Sequence, residues 1–149
     1  MATRLFALVA LVAAFGCTGT DTIEVPDRPA YREWIKVELP GTVCGDGSQY
    51  KFFVSYSDTS NNLVVVFEPG GACWDYDSCA GKNGIRGAAN VNGLEDTHWE
   101  LAPFISPFLN RVPEANPHTL DYNMVYMPYC TGDVHTGNKV VTYSDPEGI

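Results

Sequence analysis

One stretch, Leu63 to Cys79 (LVVVFEPGGACWDYDSC), constrains the chain most. An unbroken apolar run, Leu63 to Phe67, stops at Glu68-Pro69-Gly70-Gly71, and two cysteines and a tryptophan follow at once. The run is β-favouring and has no polar alternation, which predicts a buried strand covered on both faces. Residues just past the carboxyl end of a central strand sit where open α/β sheets bind ligands. Gly70 and Gly71 carry no side chain, so their N–H groups can face a ligand directly, as an oxyanion hole requires. Two other readings compete. The glycines of an ordinary turn serve only positive φ, and a phosphate cradle would need a GxxxxGK pattern that is absent here.

The rest of the chain supplies a sheet around this turn. Trp34 to Leu39 (WIKVEL) alternates weakly and predicts a first strand, ended by Pro40-Gly41. Gly45-Asp46-Gly47-Ser48 predicts a turn, and Gln49 to Tyr56 a second strand. Ser57 to Asn62 is a compact polar turn leading into Leu63. The Gly- and Asn-rich stretch from Asp77 to Gly93 predicts loop, and His98 to Leu109 a short helix broken by two prolines. Tyr122 to Pro128 (YNMVYMP) is a second apolar run, and Asn138 to Ile149 could begin another element. Two buried strands joined by a long crossover predict a parallel pair. The expected fold class is therefore α/β: an antiparallel hairpin leading into a mostly parallel sheet. Two parallel strands do not complete such a sheet, so these 149 residues are expected to be the N-terminal part of a longer protein.

The cysteines read differently once the N-terminus is considered. Arg4 is followed by an uncharged run from Leu5 to Phe15, too short to span a bilayer and suited to a secretory signal. Ala14-Phe15-Gly16-Cys17 resembles a bacterial lipobox, with cleavage before Cys17 and a lipid on its sulfur. Ordinary signal cleavage nearby is the rival reading. The expected organisation is a signal at 1–16, a lipidated cysteine and polar tether at 17–33, and a folded segment at 34–149. In an exported chain the remaining Cys44, Cys73, Cys79 and Cys130 suggest two disulfides. Three pairings are possible. The short spacing of Cys73 and Cys79 makes a local loop easy to close, which leaves Cys44 with Cys130. Zinc is a weak alternative, because no CxxC pair occurs and the histidines are scattered. The formal charge of −9 argues against nucleic acid as a partner, and 45% apolar with 18% charged residues argues for a globular chain.

The motifs FEPGGACWDYDSC and MPYCTGDVHTGN, preceded by TVCGDGSQYKFF, together resemble the pectin acetylesterase and Notum family of carboxylesterases. They occur in the family's order and span Thr42 to Asn138. The resemblance implies an α/β-hydrolase fold and hydrolysis of an acylated carbohydrate or similar ester by a Ser-His-Asp triad, without a metal or cofactor. It implies that Gly70 and Gly71 donate backbone N–H groups to the oxyanion, with Ala72 and Trp74 beside the substrate pocket. It favours the bridges Cys73–Cys79 and Cys44–Cys130, the first holding the turn rigid. Pro69 stands where the family has another glycine and has no N–H to donate.

No G-x-S-x-G motif occurs in the 149 residues. Within the family the serine lies further along, so none of the triad is assigned here and the chain alone is expected to be inactive. His135, with Asp133 two residues earlier, invites two other roles: a catalytic base, or part of a metal-dependent hydrolase. The resemblance instead makes this segment a structured loop near the site, with Asp133 bonding local backbone N–H groups. His98 and His118, in polar Pro-containing surroundings, are expected to be solvated. The alternative to an esterase is a non-catalytic surface lipoprotein that binds carbohydrate or protein, attached to the membrane through Cys17.

Overall fold

The computed structural model describes residues 30–82, 87 and 89–147. The expected signal, Cys17 and most of the expected tether lie outside the described residues. Four strands form one mixed sheet: β1 (Trp34–Val43), β2 (Gln49–Ser55), β3 (Leu63–Phe67) and β4 (Asn123–Met127), in the order β1-β2-β4-β3. β1 and β2 make the expected antiparallel hairpin, β2 runs antiparallel to β4, and β3 and β4 are the expected parallel pair. Among its described residues the crossover between β3 and β4 contains only short helical turns: α1 (Tyr76–Cys79), α2 (Ala102–Ile105), and 3₁₀ turns at His98–Leu101 and Pro107–Leu109. Pro103 and Pro107 sit in first turns, where a missing N–H costs nothing, and they cut the segment into single turns.

The registers place Phe53 beside Tyr126 and Ser55 beside Met124, with Val64 and Val66 beside Met124 and Tyr126 on the other side. These residues therefore share one face of the sheet. Phe53, Met124 and Tyr126 are fully buried there under Ala102 and Leu109, with Trp34, Trp99 and Ile105 packed around them. Ser55 is also fully buried on this face, and Arg111 answers it. The guanidinium donates to the Ser55 hydroxyl and carbonyl, each at 3.0 Å, and to the Leu120 carbonyl. Arg111 thus staples the second half of the crossover to the end of β2.

Three expectations are corrected. β1 does not end at Pro40-Gly41. It continues to Val43 through a register irregularity between Glu38 and Val43, with Gly41 at φ 78°. β1 is an edge strand, and an edge tolerates a proline and a bulge. β3 is not covered on both faces. It too lies at the sheet edge, and Leu63, Val65 and Phe67 are exposed while Val64 and Val66 pack on the core. The segment from Asn138 onward forms no regular element among the described residues. The described part of the sheet is mixed because the hairpin joins β4 antiparallel, leaving β3–β4 as its one described parallel pairing.

Both disulfides are formed, Cys44–Cys130 with Cα atoms 5.1 Å apart and Cys73–Cys79 with Cα atoms 4.5 Å apart. The first spans 86 residues and the second six. Chain-entropy arguments give about 4–5 kcal/mol for the long loop and about 2 for the short one. Paired Cys→Ser replacement at positions 44 and 130 is therefore expected to lower the urea unfolding free energy about twice as much as replacement at 73 and 79. Arg111→Met, which leaves the buried Ser55 and the Leu120 carbonyl without their donor, is expected to cost about 2–3 kcal/mol in the same assay.

Candidate active site

β3 ends in a tightly tied exit. The Glu68 N–H donates to the Met127 carbonyl at 2.9 Å, extending the parallel ladder by one bond. The chain then turns away through Pro69, Gly70 and Gly71. Neither glycine has positive φ, so an ordinary left-handed turn does not explain them. Gly70 is explained by close approach: a Cβ there would collide with the Tyr129 ring and lie 2.8 Å from the Ala89 Cβ. Among the described residues the N–H groups of Gly70 and Gly71 meet no acceptor. Both glycines line a cleft of about 730 Å³, whose wall also includes Glu68, Asn90, Val91 and Ile105. Ala72 and Trp74, expected at the pocket, do not line this cleft. Trp74 is exposed, and its backbone N–H is held by the Ser78 hydroxyl.

The turn is braced from below by Glu68, whose carboxylate is buried. Its Oε2 accepts from the Tyr129 N–H at 2.9 Å and the Asn90 amide at 3.0 Å, and lies 3.2 Å from the His98 Nε2. Asn90 also donates to the Tyr129 carbonyl at 2.9 Å, so one amide links the crossover to both sides of the site. His98 is therefore not solvated, as its polar neighbours in sequence suggested. It is buried, with its ring parallel to that of Tyr126. The exposed His118 matches expectation. The buried Tyr126 hydroxyl points toward the same carboxylate without a hydrogen bond of ordinary geometry, and burial pushes its phenol pKa up. Burial also pushes the Glu68 carboxyl up. Hydrogen bonds from His98 and the Tyr129 N–H outweigh that effect and hold it below the usual carboxylate range. Glu68, Asn90, His98 and Tyr129 escaped sequence reasoning. The one available signal was a carboxylate placed directly at the end of an apolar strand.

The loop after β4 approaches from the other side. Asp133 accepts from the His135 and Gly137 N–H groups at 3.0 and 2.8 Å, and from the Thr131 hydroxyl at 2.5 Å. These bonds hold its carboxyl below the usual range against the opposing effect of burial. His135 places its Nε2 3.0 Å from the Glu68 carbonyl, which fixes that nitrogen as the donor. Both residues are thus engaged with backbone. Among the described residues no group of three His, Cys, Asp or Glu side chains converges. The Cys73–Cys79 bridge closes the other end of the turn. Cys73 donates its N–H to the Gly132 carbonyl at 2.8 Å, and Asp75 and Ser78 cap α1 reciprocally.

A carboxylate whose pKa is lower in the folded state stabilises the fold above its unfolded value and loses that contribution as pH falls through the folded value. The thermal midpoint is therefore expected to drop below about pH 4.5, the ordinary value for this carboxyl. In Glu68→Gln the difference from the parent protein should shrink steadily over that acidic range. A gap that stays constant with pH would remove Glu68 from the acid response.

Comparisons with known proteins identify the family. The pectinacetylesterase family model matches residues 33–147. The palmitoleoyl-protein carboxylesterase notum1 of Xenopus laevis is 32% identical over 94 residues, covering 63% of this chain and 18% of that protein. An inactive palmitoleoyl-protein carboxylesterase, notum1b of Danio rerio, is 27% identical over 99 residues, covering 66% of this chain and 68% of that protein. The solved structure of the Wnt deacylase Notum from Drosophila superposes with a TM-score of 0.50 at 25% identity, over 74% of this chain and 32% of that one. The chain thus spans about a fifth of the length of the first carboxylesterase it matches. With the glycine turn, the two bridges and a family match across the whole folded segment, the chain belongs to the pectinacetylesterase family.

Proposed function

We propose that this segment supplies the oxyanion-stabilising turn of an exported serine carboxylesterase that deacylates a carbohydrate or another acylated substrate. The observation that carries the reading is the pair of N–H groups at Gly70 and Gly71. They meet no described acceptor, they sit at the carboxyl end of a strand in a parallel pair, and they border a cleft. An ester carbonyl placed against them would develop its negative charge toward two fixed donors. Such donors cost no reorganisation when the charge appears. A serine attacks the carbonyl carbon, the oxyanion forms in the turn, and collapse expels the alcohol and leaves an acyl-enzyme. Water then repeats the sequence and releases the acid. The 149 residues hold no G-x-S-x-G, so the serine, its base and its acid would come from sequence outside them. In this reading Trp74, exposed three residues after the turn, and Ala72 would meet the substrate outside the cleft rather than within it.

The two disulfides fit an oxidising compartment, and the signal-like N-terminus fits export. In this reading Cys17 carries the lipid that holds the protein at the cell envelope. A second reading is favoured by one finding. The zebrafish relative of which this chain covers 68% is described as inactive. The corresponding proposal is a lipoprotein that keeps the fold and binds an acylated or carbohydrate ligand without turning it over.

The protein encoded by the complete gene, assayed on p-nitrophenyl acetate, separates the two. The esterase reading expects turnover that survives EDTA, and a fall in kcat of about 100-fold or more in Gly71→Pro, which removes one donor. A folded, fully oxidised parent protein without turnover would hand the function to the binding reading.

A further inference from the structure

The loop after β4 contains a backbone conformation that needs explaining. Val134 and His135 both adopt left-handed φ, 57° and 56°. Histidine visits this region with some frequency, but a β-branched valine there is a true outlier. Such strain persists only when the surroundings over-determine it, and it concentrates where function needs a fixed geometry. The surroundings are on hand. Asp133 takes the N–H groups of His135 and Gly137, its carbonyl accepts from the Thr136 N–H and hydroxyl, and the Val134 N–H donates to the Tyr129 hydroxyl at 2.9 Å. The result of all these contacts is the placement of one side chain. The His135 ring lies between Phe67 and Tyr129, with centroids 5.1 and 4.7 Å away, and its Nε2 meets the Glu68 carbonyl.

That carbonyl belongs to the last peptide before Pro69-Gly70-Gly71. Glu68 is therefore gripped twice, by His98 through its side chain and by His135 through its main chain. Proline at 69 has a fixed φ, so with the Glu68 carbonyl held in place the start of the glycine turn has one torsion fewer left to vary. We propose that His135 is a positioning residue for the glycine turn: it donates from Nε2 to the Glu68 carbonyl and so fixes where Gly70 and Gly71 present their N–H groups. The inference rests on the oxyanion role proposed for that turn. It assigns His135 no proton transfer, because the nitrogen that faces the turn already holds its proton for the carbonyl.

The test compares His135→Phe, which keeps a ring between Phe67 and Tyr129 but has no donor, with His135→Gln, which returns an N–H at similar reach. Both are made in the protein encoded by the complete gene. Two readouts are taken: glycine-selective ¹⁵N spectra, and p-nitrophenyl acetate kinetics. In His135→Phe the Gly70 and Gly71 amide resonances should shift while that of Gly41, in β1, stays in place. His135→Gln should bring them back. kcat should fall about 10- to 100-fold in His135→Phe with KM little changed, and recover to within about 3-fold in His135→Gln. Unmoved Gly70 and Gly71 resonances in His135→Phe would overturn the proposal. So would equal losses of kcat in both variants, which would mark His135 as a base. If the parent protein shows no turnover, the amide readout decides the positioning role by itself, and the missing turnover counts against the esterase reading alone.

Discussion

A single buried anion organises this structure. Burying a carboxylate is expensive unless hydrogen bonds and opposite charge answer it, and removing one partner then strands the rest. Glu68 is answered by three separated parts of the chain: the peptide of Tyr129 past β4, the amide of Asn90 in the crossover, and the ring of His98 at the first 3₁₀ turn. None of these segments has enough regular structure to hold itself in place. The carboxylate gives them a common point, and it does so one residue before the turn where the chemistry is proposed. The irregular crossover and the regular sheet are therefore not independent parts of the molecule.

The disulfides work at the same end of the sheet. Cys130 lies just past β4 and pairs with Cys44, between β1 and β2, while Cys73 and Cys79 close the segment just past β3. Backbone bonds add to them, from Gly45 to the Cys130 carbonyl and from Cys73 to the Gly132 carbonyl, both at 2.8 Å. The carboxyl ends of a parallel pair are where sheets of this class place ligands. Here that end is fixed by sulfur, by a buried carboxylate and by two histidines, whereas Leu63 and Val65 on the outer face of β3 are exposed.

The strands were legible because their residues carry local signals. β3 matches its apolar run from Leu63 to Phe67, and β2 and β4 fall within a residue of their sequence limits. Pro40-Gly41 misled, because a proline that would break a central strand is harmless at an edge, and edge position is not a local property. The covering of β3 failed for a related reason: an apolar run shows that a strand can be buried, not what is present to bury it. His98 failed differently. Its neighbours in sequence are polar, and its burial depends on a carboxylate 30 residues away. The glycine pair was found by composition, but the reason for Gly70 is the ring of Tyr129, which only the fold brings there.

The long bridge also orders events in time. Cys73 and Cys79 are close along the chain and can meet in any partly collapsed state, whereas Cys44 and Cys130 meet only after β2 has found β4. Contacts of such separation form late, because the chain must close a large loop before anything rewards it. In an oxidising compartment, therefore, the Cys44 thiol waits at least until the 86 residues to Cys130 have been made, open to premature partners. A wrong bridge formed in that interval has to be undone by thiol–disulfide exchange before β2 and β4 can be tied together.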